Sequence, residues 1–250
     1  MESNIFLLFI TILCYTFKIK QGLHIMVLLQ PQIQEAIKNK EIIFDGDLLN
    51  IGPNSIDVSL APTIKTYVES EIQEFIYKKE KHYTLIQKEQ SFEWHLDAKK
   101  DNPTWIHSIP EEGLILRPDQ FYIAGTIEMA GSSSFIPMYE GRSSMARLGI
   151  LSHLSAGFGD VGFENRWTLE IKVAHPVKVY PGMRIGQVAF HSVDPDVLFD
   201  MKNKNELYQS KYSINNQSQS SKSHLDFATN GNSLSRISAS SNKEGNSNEK

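Results

Sequence analysis

The chain has a single cysteine, Cys14, among its 250 residues. One cysteine excludes an internal disulfide, and it excludes zinc sites that take two or three cysteines near a His-x-Glu motif. The histidines show no metal-ligand spacing such as His-x-x-x-His, so we expect no metal site built from protein side chains. The absence of disulfides suits a reducing compartment, and we expect a cytoplasmic protein.

The sequence also lacks an excess of positive charge, since its formal net charge is -4 at pH 7. Nucleic acids and anionic membranes attract basic surfaces, so neither is an expected partner. A phosphate ligand would need a local cluster of basic residues instead. The chain has no P-loop, no Rossmann fingerprint and no Gly-x-Ser-x-Gly motif.

An apolar run, Asn4–Phe17, falls short of the roughly 20 residues that a membrane-spanning helix needs. As a signal peptide it is imperfect, because Glu2 stands where basic residues are expected and no Ala-x-Ala site follows. We interpret residues 1–25 as an apolar leader or accessory extension. Membrane or organelle targeting remains open on this evidence.

Strand patterns dominate the chain from Met26 onward. Pro31–Ile37 has the spacing of a short helix, whereas Ser55–Leu60 alternates with period two as a half-buried strand does. Pro181-Gly182 separates two further strand-like stretches and suits a type II turn. Many short strands with turns between them, without strand–helix alternation, predict a mainly β barrel or sandwich.

The domain predicted at residues 26–200 is interrupted at about 70–104, where no sustained period is visible. We interpret that stretch as an insertion. Residues 223–250 are rich in Ser and Asn and nearly free of large apolar side chains. Such a tail cannot bury enough surface to offset its ordering entropy, so we expect it to be disordered.

A glycine-bounded segment, GRSSMARLG (Gly141–Gly149), is the first candidate for chemistry. Its serines could cap a helix start, where free backbone N–H groups favour an anion. Arg142 and Arg147 add charge, and the planar guanidinium suits phosphate. A capped surface turn with solvated arginines is the alternative.

Two later segments carry carboxylates. Asp160 lies in the glycine-rich stretch Ala156–Phe163, where it could accept a hydrogen bond from a sugar hydroxyl or simply fix a turn. In Trp167–Val173, period two places Glu170 on the face opposite the apolar residues. Glu170 is a general acid/base candidate if that face lines a pocket, and an ordinary exposed residue if it meets water.

Taken in order, these segments resemble the dCTP deaminase family of the dCTP deaminase and dUTPase superfamily. GRSSMARLGI, AGFGDVGFENRWTLE and YPGMRIGQVAFH look like its core pattern. The stretches Met26–Ile42 and Gly52–Leu60 resemble its start, and Tyr208–Lys222 is similar to its C-terminal arm. The resemblance covers roughly residues 26–70 and 109–222.

The resemblance implies a distorted β-barrel with jelly-roll character, of the dUTPase-like type with a few short helices. It implies homotrimers with nucleotide sites between subunits, Mg²⁺ carried on the phosphates, dCTP or dUTP as ligand and dTTP as a feedback ligand. Residues 201–222 would be an arm that closes on the nucleotide.

Site roles also follow from the resemblance. Glu170 would be the general acid/base, with Ser143 and Arg147 near the reacting base and Asp160 on the deoxyribose 3′-hydroxyl. We call the segment Gly141–Gly149 the serine loop. The other implied nucleotide-binding residues belong to the serine loop, the pyrimidine pocket, the strand-like stretch after Pro181-Gly182 and the arm: Arg142, Ser144, Met145, Ala146, Thr168, Leu169, Gln187, Tyr208, Lys211 and Gln217.

The chain departs from the family pattern in places. Val161 stands where proline is usual, and Trp167 replaces a smaller β-branched residue and could crowd the pocket. The arm carries extra residues, so its glutamine corresponds to Gln217 or to Asn215.

Three functions remain open from the sequence. One is zinc-independent deamination of dCTP to dUTP, with onward hydrolysis to dUMP in some family members, in the supply of dTTP. The others are a dUTPase, with Asp160 placing a water at the α-phosphate, and a non-catalytic nucleotide-binding homologue. The absence of a Gly-rich arm and the presence of Glu170 favour deamination over the dUTPase.

Overall fold

The structure, a computed structural model, describes residues 26–68, 95–204 and 218–225. The leader, most of the expected insertion and nearly all of the tail therefore lie outside the described residues. So do three implied arm ligands, Tyr208, Lys211 and Gln217. In the described ranges, none of the helices combines the length and apolar character that crossing a membrane requires.

Strands predominate among the described elements. In chain order the helices are α1 (Gln30–Lys38), α2 (Ser143–Arg147) and α3 (Pro195–Asn203), with a 3-10 turn at Leu48–Asn50. The strands are β1 (Ile42–Phe44), β2 (Ile56–Tyr67), β3 (Thr104–Ser108), β4 (Leu114–Leu116), β5 (Tyr122–Ser132), β6 (Ile136–Gly141), β7 (Ile150–Leu151), β8 (Arg166–Val173), β9 (Val177–Val179) and β10 (Arg184–His191).

The strands form one large antiparallel sheet and a two-stranded ribbon. The large sheet has the order β6-β10-β2-β5-β8-β7, with β1 added on β5 and β3 added on β2, and the ribbon pairs β4 with β9. The sheet curves into a nearly closed barrel with few helices, which confirms the predicted mainly β fold.

Alternation of side chains places the core inside this sheet. Along β2, the side chains of Ile56, Val58 and Leu60 are fully buried. Along β8, every second residue from Trp167 to Val173 is buried, and the residues between them are partly exposed. Because successive side chains of a strand point to opposite faces, the polar residues of both strands are directed away from the core.

Strand β2 is longer than the sequence pattern predicts. The pattern ends at Leu60, because Ala61 and Pro62 interrupt it and proline cannot donate to a strand ladder. The structure continues β2 to Tyr67, with a shift in the β5 register between Leu60 and Ile64 and with β3 as a further partner. A local irregularity of this kind accommodates the proline within one continuous strand.

Two helices differ from the expectations. The serines do not cap α2: Arg142 occupies the N-cap position in an extended conformation and makes no side-chain cap bond. Helix α3 was not predicted, and it runs across the expected boundary between residues 200 and 201. Its start is fixed by Asp194, whose side chain accepts hydrogen bonds from the backbone N–H groups of Asp196 and Val197.

Candidate active site

A cavity of about 450 Å³ opens beside strand β8. Its lining comes from β8 and the residue before it, the loop at 156–163 and the C-terminal segment at 219–221, together with Phe121 and Ile123 at the start of β5. Asp160, Thr168 and Glu170, which the sequence singled out separately, line this one cavity. The cavity therefore unites the carboxylates of the two later motifs.

The outward face of β8 presents a row of polar groups. Arg166, Thr168 and Glu170 lie at alternate positions and all line the cavity. Arg166 Nη2 lies 3.0 Å from Asp45 Oδ2, so the guanidinium is held at the cavity by an ion pair. The sequence analysis missed Arg166, although its spacing of two residues from Thr168 places it on the same face.

Glu170 is held by the loop that precedes the cavity. The backbone N–H of Leu154 donates a hydrogen bond of 3.2 Å to Oε2 of Glu170. A carboxylate oriented by a backbone donor and facing a cavity can exchange a proton with a water or ligand bound there. Glu170 is therefore a carboxylate of fixed position at the cavity.

Trp167 forms a wall of the cavity from the core side. Its side chain is buried, and its Nε1 donates a 2.8 Å hydrogen bond to the carbonyl oxygen of Ala130. The ring centroid lies 4.7 Å from that of Phe163. The loop passes so close that a Cβ on Gly159 would lie 3.0 Å from the indole. Trp167 thus packs in the core beneath the cavity and contributes to its lining.

The C-terminal segment crosses the cavity. The backbone N–H of Gln219 donates a 3.2 Å hydrogen bond to Thr168 Oγ1, and Lys65 Nζ donates a 2.6 Å bond to the carbonyl oxygen of Ser218. Partial burial lowers the pKa of the Lys65 amine. Farther along, Ser223 Oγ donates to the carbonyl oxygen of Ala98. Residues of this segment and of β8 are therefore joined directly.

The serine loop lies elsewhere in the chain. None of the residues from Arg142 to Arg147 lines the cavity, and Ser143, Ser144 and Arg147 are exposed. Gln187 lies near the serine loop, because it pairs on β10 with Glu140, close to the end of β6. Its side chain accepts a 2.9 Å hydrogen bond from Ser55 Oγ. The implied site residues therefore form two groups within one chain.

One implied contact, that of Leu169, is limited to the backbone. The side chain of Leu169 is fully buried in the core, on the opposite face of β8 from Thr168 and Glu170. Period two requires this placement, so only the backbone of Leu169 is available to a ligand at the cavity.

Comparisons with known proteins identify the family of the chain. The family model described as dCTP deaminase-like matches residues 27–193. A protein named dCTP deaminase, dUMP-forming, from Cytophaga hutchinsonii is 41% identical over 203 residues, which cover 81% of this chain and 99% of that protein. A protein of the same name from Leptospira biflexa is 45% identical over 135 residues, or 54% of this chain and 74% of that protein.

A solved structure is also similar, the crystal structure of 2′-deoxycytidine 5′-triphosphate deaminase from Agrobacterium tumefaciens. It aligns with a TM-score of 0.47 and 14% sequence identity, over 76% of this chain and 56% of that chain. The sequence matches show the family. The family model spans more than half of the chain, and the Cytophaga hutchinsonii protein aligns over nearly its whole length. The chain belongs to the dCTP deaminase family.

Proposed function

We propose that the protein is a dCTP deaminase that works without zinc and uses Glu170 as its general acid/base. The observation that carries this proposal is the single cavity lined by Asp160, Thr168 and Glu170. The comparisons support it too, because the similar proteins bear the name "dCTP deaminase, dUMP-forming".

The proposed reaction replaces the 4-amino group of cytosine by oxygen. Glu170 takes a proton from a water as that water attacks C4, and passes it to N3 of the ring. It then moves the proton of the new C4 hydroxyl to the amino group, which leaves as ammonia while the C4 carbonyl forms. The hydrogen bond from the Leu154 N–H to Oε2 keeps the carboxylate in place during both transfers. Asp160 binds the deoxyribose 3′-hydroxyl from the loop across the cavity.

We further propose that the product dUTP is hydrolysed to dUMP and diphosphate. Cleavage at the α-phosphate requires a second water beside the sugar. The carboxylate of Asp160, in the loop at 156–163, lines the cavity and could position that water. The relatives bear the dUMP-forming name. Such a bifunctional enzyme would supply the precursor of dTTP.

Phosphate binding is assigned to the serine loop. Arg142, Ser143, Ser144 and Arg147 provide guanidinium and hydroxyl donors of the kind that bind phosphate. The backbone of Met145 and Ala146 lies in the same short helix. Mg²⁺ prefers phosphate oxygens and water, so we propose that it enters with the triphosphate.

The serine loop and the cavity are separate within one chain, which supports a homotrimer with sites between subunits. Exposed apolar side chains lie along the stretch that connects them: Leu148, Leu151, Leu154 and Phe158 are between 47% and 66% exposed. A neighbouring copy that covers these residues would bring its serine loop to this cavity.

Closure of the arm over the nucleotide is supported by Gln219, Ser220 and Ser221, which line the cavity. The proposed arm ligands Tyr208, Lys211 and Gln217 precede this segment and lie outside the described residues.

A pure dUTPase is the second candidate, because Asp160 lines the cavity and could position a water. Product analysis separates the two functions. Purified protein is incubated with dCTP or with dUTP in the presence of Mg²⁺, and nucleotides and ammonia are measured. Formation of dUMP and ammonia from dCTP supports the proposal. Turnover of dUTP alone would favour the dUTPase, and turnover of neither would indicate a non-catalytic nucleotide-binding homologue.

The shared site has its own test. Glu170→Gln and Arg142→Gln variants are each purified, mixed and allowed to exchange subunits. If sites combine residues of two subunits, the mixture contains some intact sites, and its activity exceeds the sum of the activities of the two variants. Light scattering reports the oligomeric state, and a monomer with full activity would contradict the homotrimer.

A further inference from the structure

A polar row crosses three neighbouring strands on the side of the sheet away from the core. Asp57 on β2 is the cross-strand partner of Gln187 on β10, and Gln187 is in turn the partner of Glu140 on β6. Arg142 follows directly after the end of β6. The antiparallel register therefore brings residues that are distant in sequence next to the start of the serine loop.

Asp57 contacts two arginines within this row. Its Oδ1 lies 3.2 Å from Nε of Arg142, and its Oδ2 lies 3.3 Å from Nη1 of Arg184. The Asp57 side chain is 17% exposed, against 26% for Arg142 and 53% for Arg184. One partly buried carboxylate thus holds two guanidinium groups side by side, one on each oxygen.

The arrangement has the features of a prepared anion site. Two adjacent guanidinium groups repel each other, and the carboxylate between them offsets that repulsion while leaving a net positive charge. The pair with Arg142 uses Nε, so its terminal nitrogens remain as further donors. Side chains that are already ordered lose less entropy when a ligand binds.

Resting on the proposed function, we propose that Asp57 is a positioning residue that holds Arg142 and Arg184 together as a phosphate-binding pair. Arg184 then becomes a phosphate ligand beside the serine loop. Gln187, which accepts a hydrogen bond from Ser55 just before β2, flanks the pair. The Asp57 side chain is mostly buried, which distinguishes this contact from fully exposed ion pairs, which contribute little.

The kinetic test compares Asp57→Asn with wild-type protein. The amide keeps the shape of the side chain but loses its charge, so the arginines are no longer held. We expect the KM for dCTP to rise about tenfold and kcat to change by less than about threefold, because uniform binding is lost. Asp119→Asn is the matched control, since Asp119 pairs with Arg117 at 3.2 Å in an exposed turn.

A background variant separates positioning from a general structural role. When Arg142 and Arg184 are both replaced by Gln, the additional Asp57→Asn change should lower kcat/KM by less than about twofold. An undiminished effect of Asp57→Asn in that background would overturn the proposal. If Asp57→Asn fails to fold, Arg184→Gln alone decides, with a raised KM supporting the proposal and an unchanged KM overturning it.

A binding measurement makes the outcome independent of turnover. Inorganic tripolyphosphate is titrated into wild-type protein and Asp57→Asn, and we expect a loss of affinity similar to the change in KM. If wild-type protein releases no ammonia from dCTP, the proposed function fails, while weaker tripolyphosphate binding by Asp57→Asn still supports the phosphate-binding pair. Equal affinities in the two proteins would overturn it.

Discussion

The backbone N–H of Leu154 donates a hydrogen bond to the carboxylate of Glu170. This bond joins the chain that follows β7 to the middle of β8, at the edge of the cavity. It fixes one carboxylate oxygen and orients the other, so the position of the proposed general acid/base depends on the path of the loop as well as on the strand.

Glu170→Gln is expected to abolish ammonia release while nucleotide binding survives. The amide oxygen can still accept the bond from Leu154, but the side chain can no longer take up a proton. General acid–base catalysis contributes about 10²–10⁴-fold, so kcat should fall by at least that factor. A coupled ammonia assay measures kcat, and calorimetry with dCTP measures binding.

The matched control is Glu164→Gln, which changes an exposed carboxylate in the turn before β8. Its kcat should equal that of wild-type protein. Full deaminase activity in Glu170→Gln would remove Glu170 from the mechanism.

Lys65→Met is expected to release the C-terminal segment from the cavity. The substitution removes the 2.6 Å hydrogen bond to the carbonyl oxygen of Ser218 but keeps an unbranched side chain. Amide hydrogen exchange across residues 218–221 should speed up about three- to tenfold, because local opening becomes easier. Lys38→Met on α1 serves as control, and equal exchange in both variants would contradict this role of Lys65.

Tyr139→Phe is expected to leave stability unchanged or to raise it by up to about 1 kcal/mol, since a buried hydroxyl without a partner costs free energy. The side chain is 1% exposed, and its hydroxyl makes no hydrogen bond of standard geometry among the described residues, with the Ser152 hydroxyl as the group it interacts with. Urea unfolding measures the change.

The comparison is Tyr122→Phe, because the Tyr122 hydroxyl accepts a 2.8 Å hydrogen bond from the backbone N–H of Arg117. That variant should lose about 1–2 kcal/mol. A larger loss in Tyr139→Phe than in Tyr122→Phe would show that the Tyr139 hydroxyl is paired.

Trp167→Phe is expected to destabilise the protein by about 1–3 kcal/mol. The substitution leaves the buried carbonyl oxygen of Ala130 without its indole donor and reduces packing against Phe163. Denaturant unfolding with a catalytic assay at low temperature separates stability from activity. Trp105→Phe, at a position 43% exposed, should change neither, and an unaltered stability of Trp167→Phe would contradict the wall role.

Local patterns were sufficient for the face of β8. Period two separates Glu170 and Thr168 from the core residues, and the structure confirms that separation. Period two also assigns the Leu169 side chain to the core, so the predicted contact of Leu169 with a ligand is limited to its backbone. Helix α3 had a readable start in Asp194-Pro195, a capping residue followed by proline at the first helical position.

Other parts of the site depend on contacts between distant residues. Asp57 and Arg184 are 127 positions apart, and only the β2–β10 register brings them together. No periodicity within either strand indicates that pairing. The same holds for Lys65 and Ser218, which are 153 positions apart.

Strand β2 contributes one residue to each of these two contacts, Asp57 near its beginning and Lys65 near its end. Inserting or deleting one residue between them would turn one of the two side chains toward the interior of the barrel. The anchor of the arginine pair and the anchor of the C-terminal segment are thus kept in phase by a single stretch of backbone. A one-residue change in the length of β2 between Asp57 and Lys65 should therefore disturb one of these two anchors.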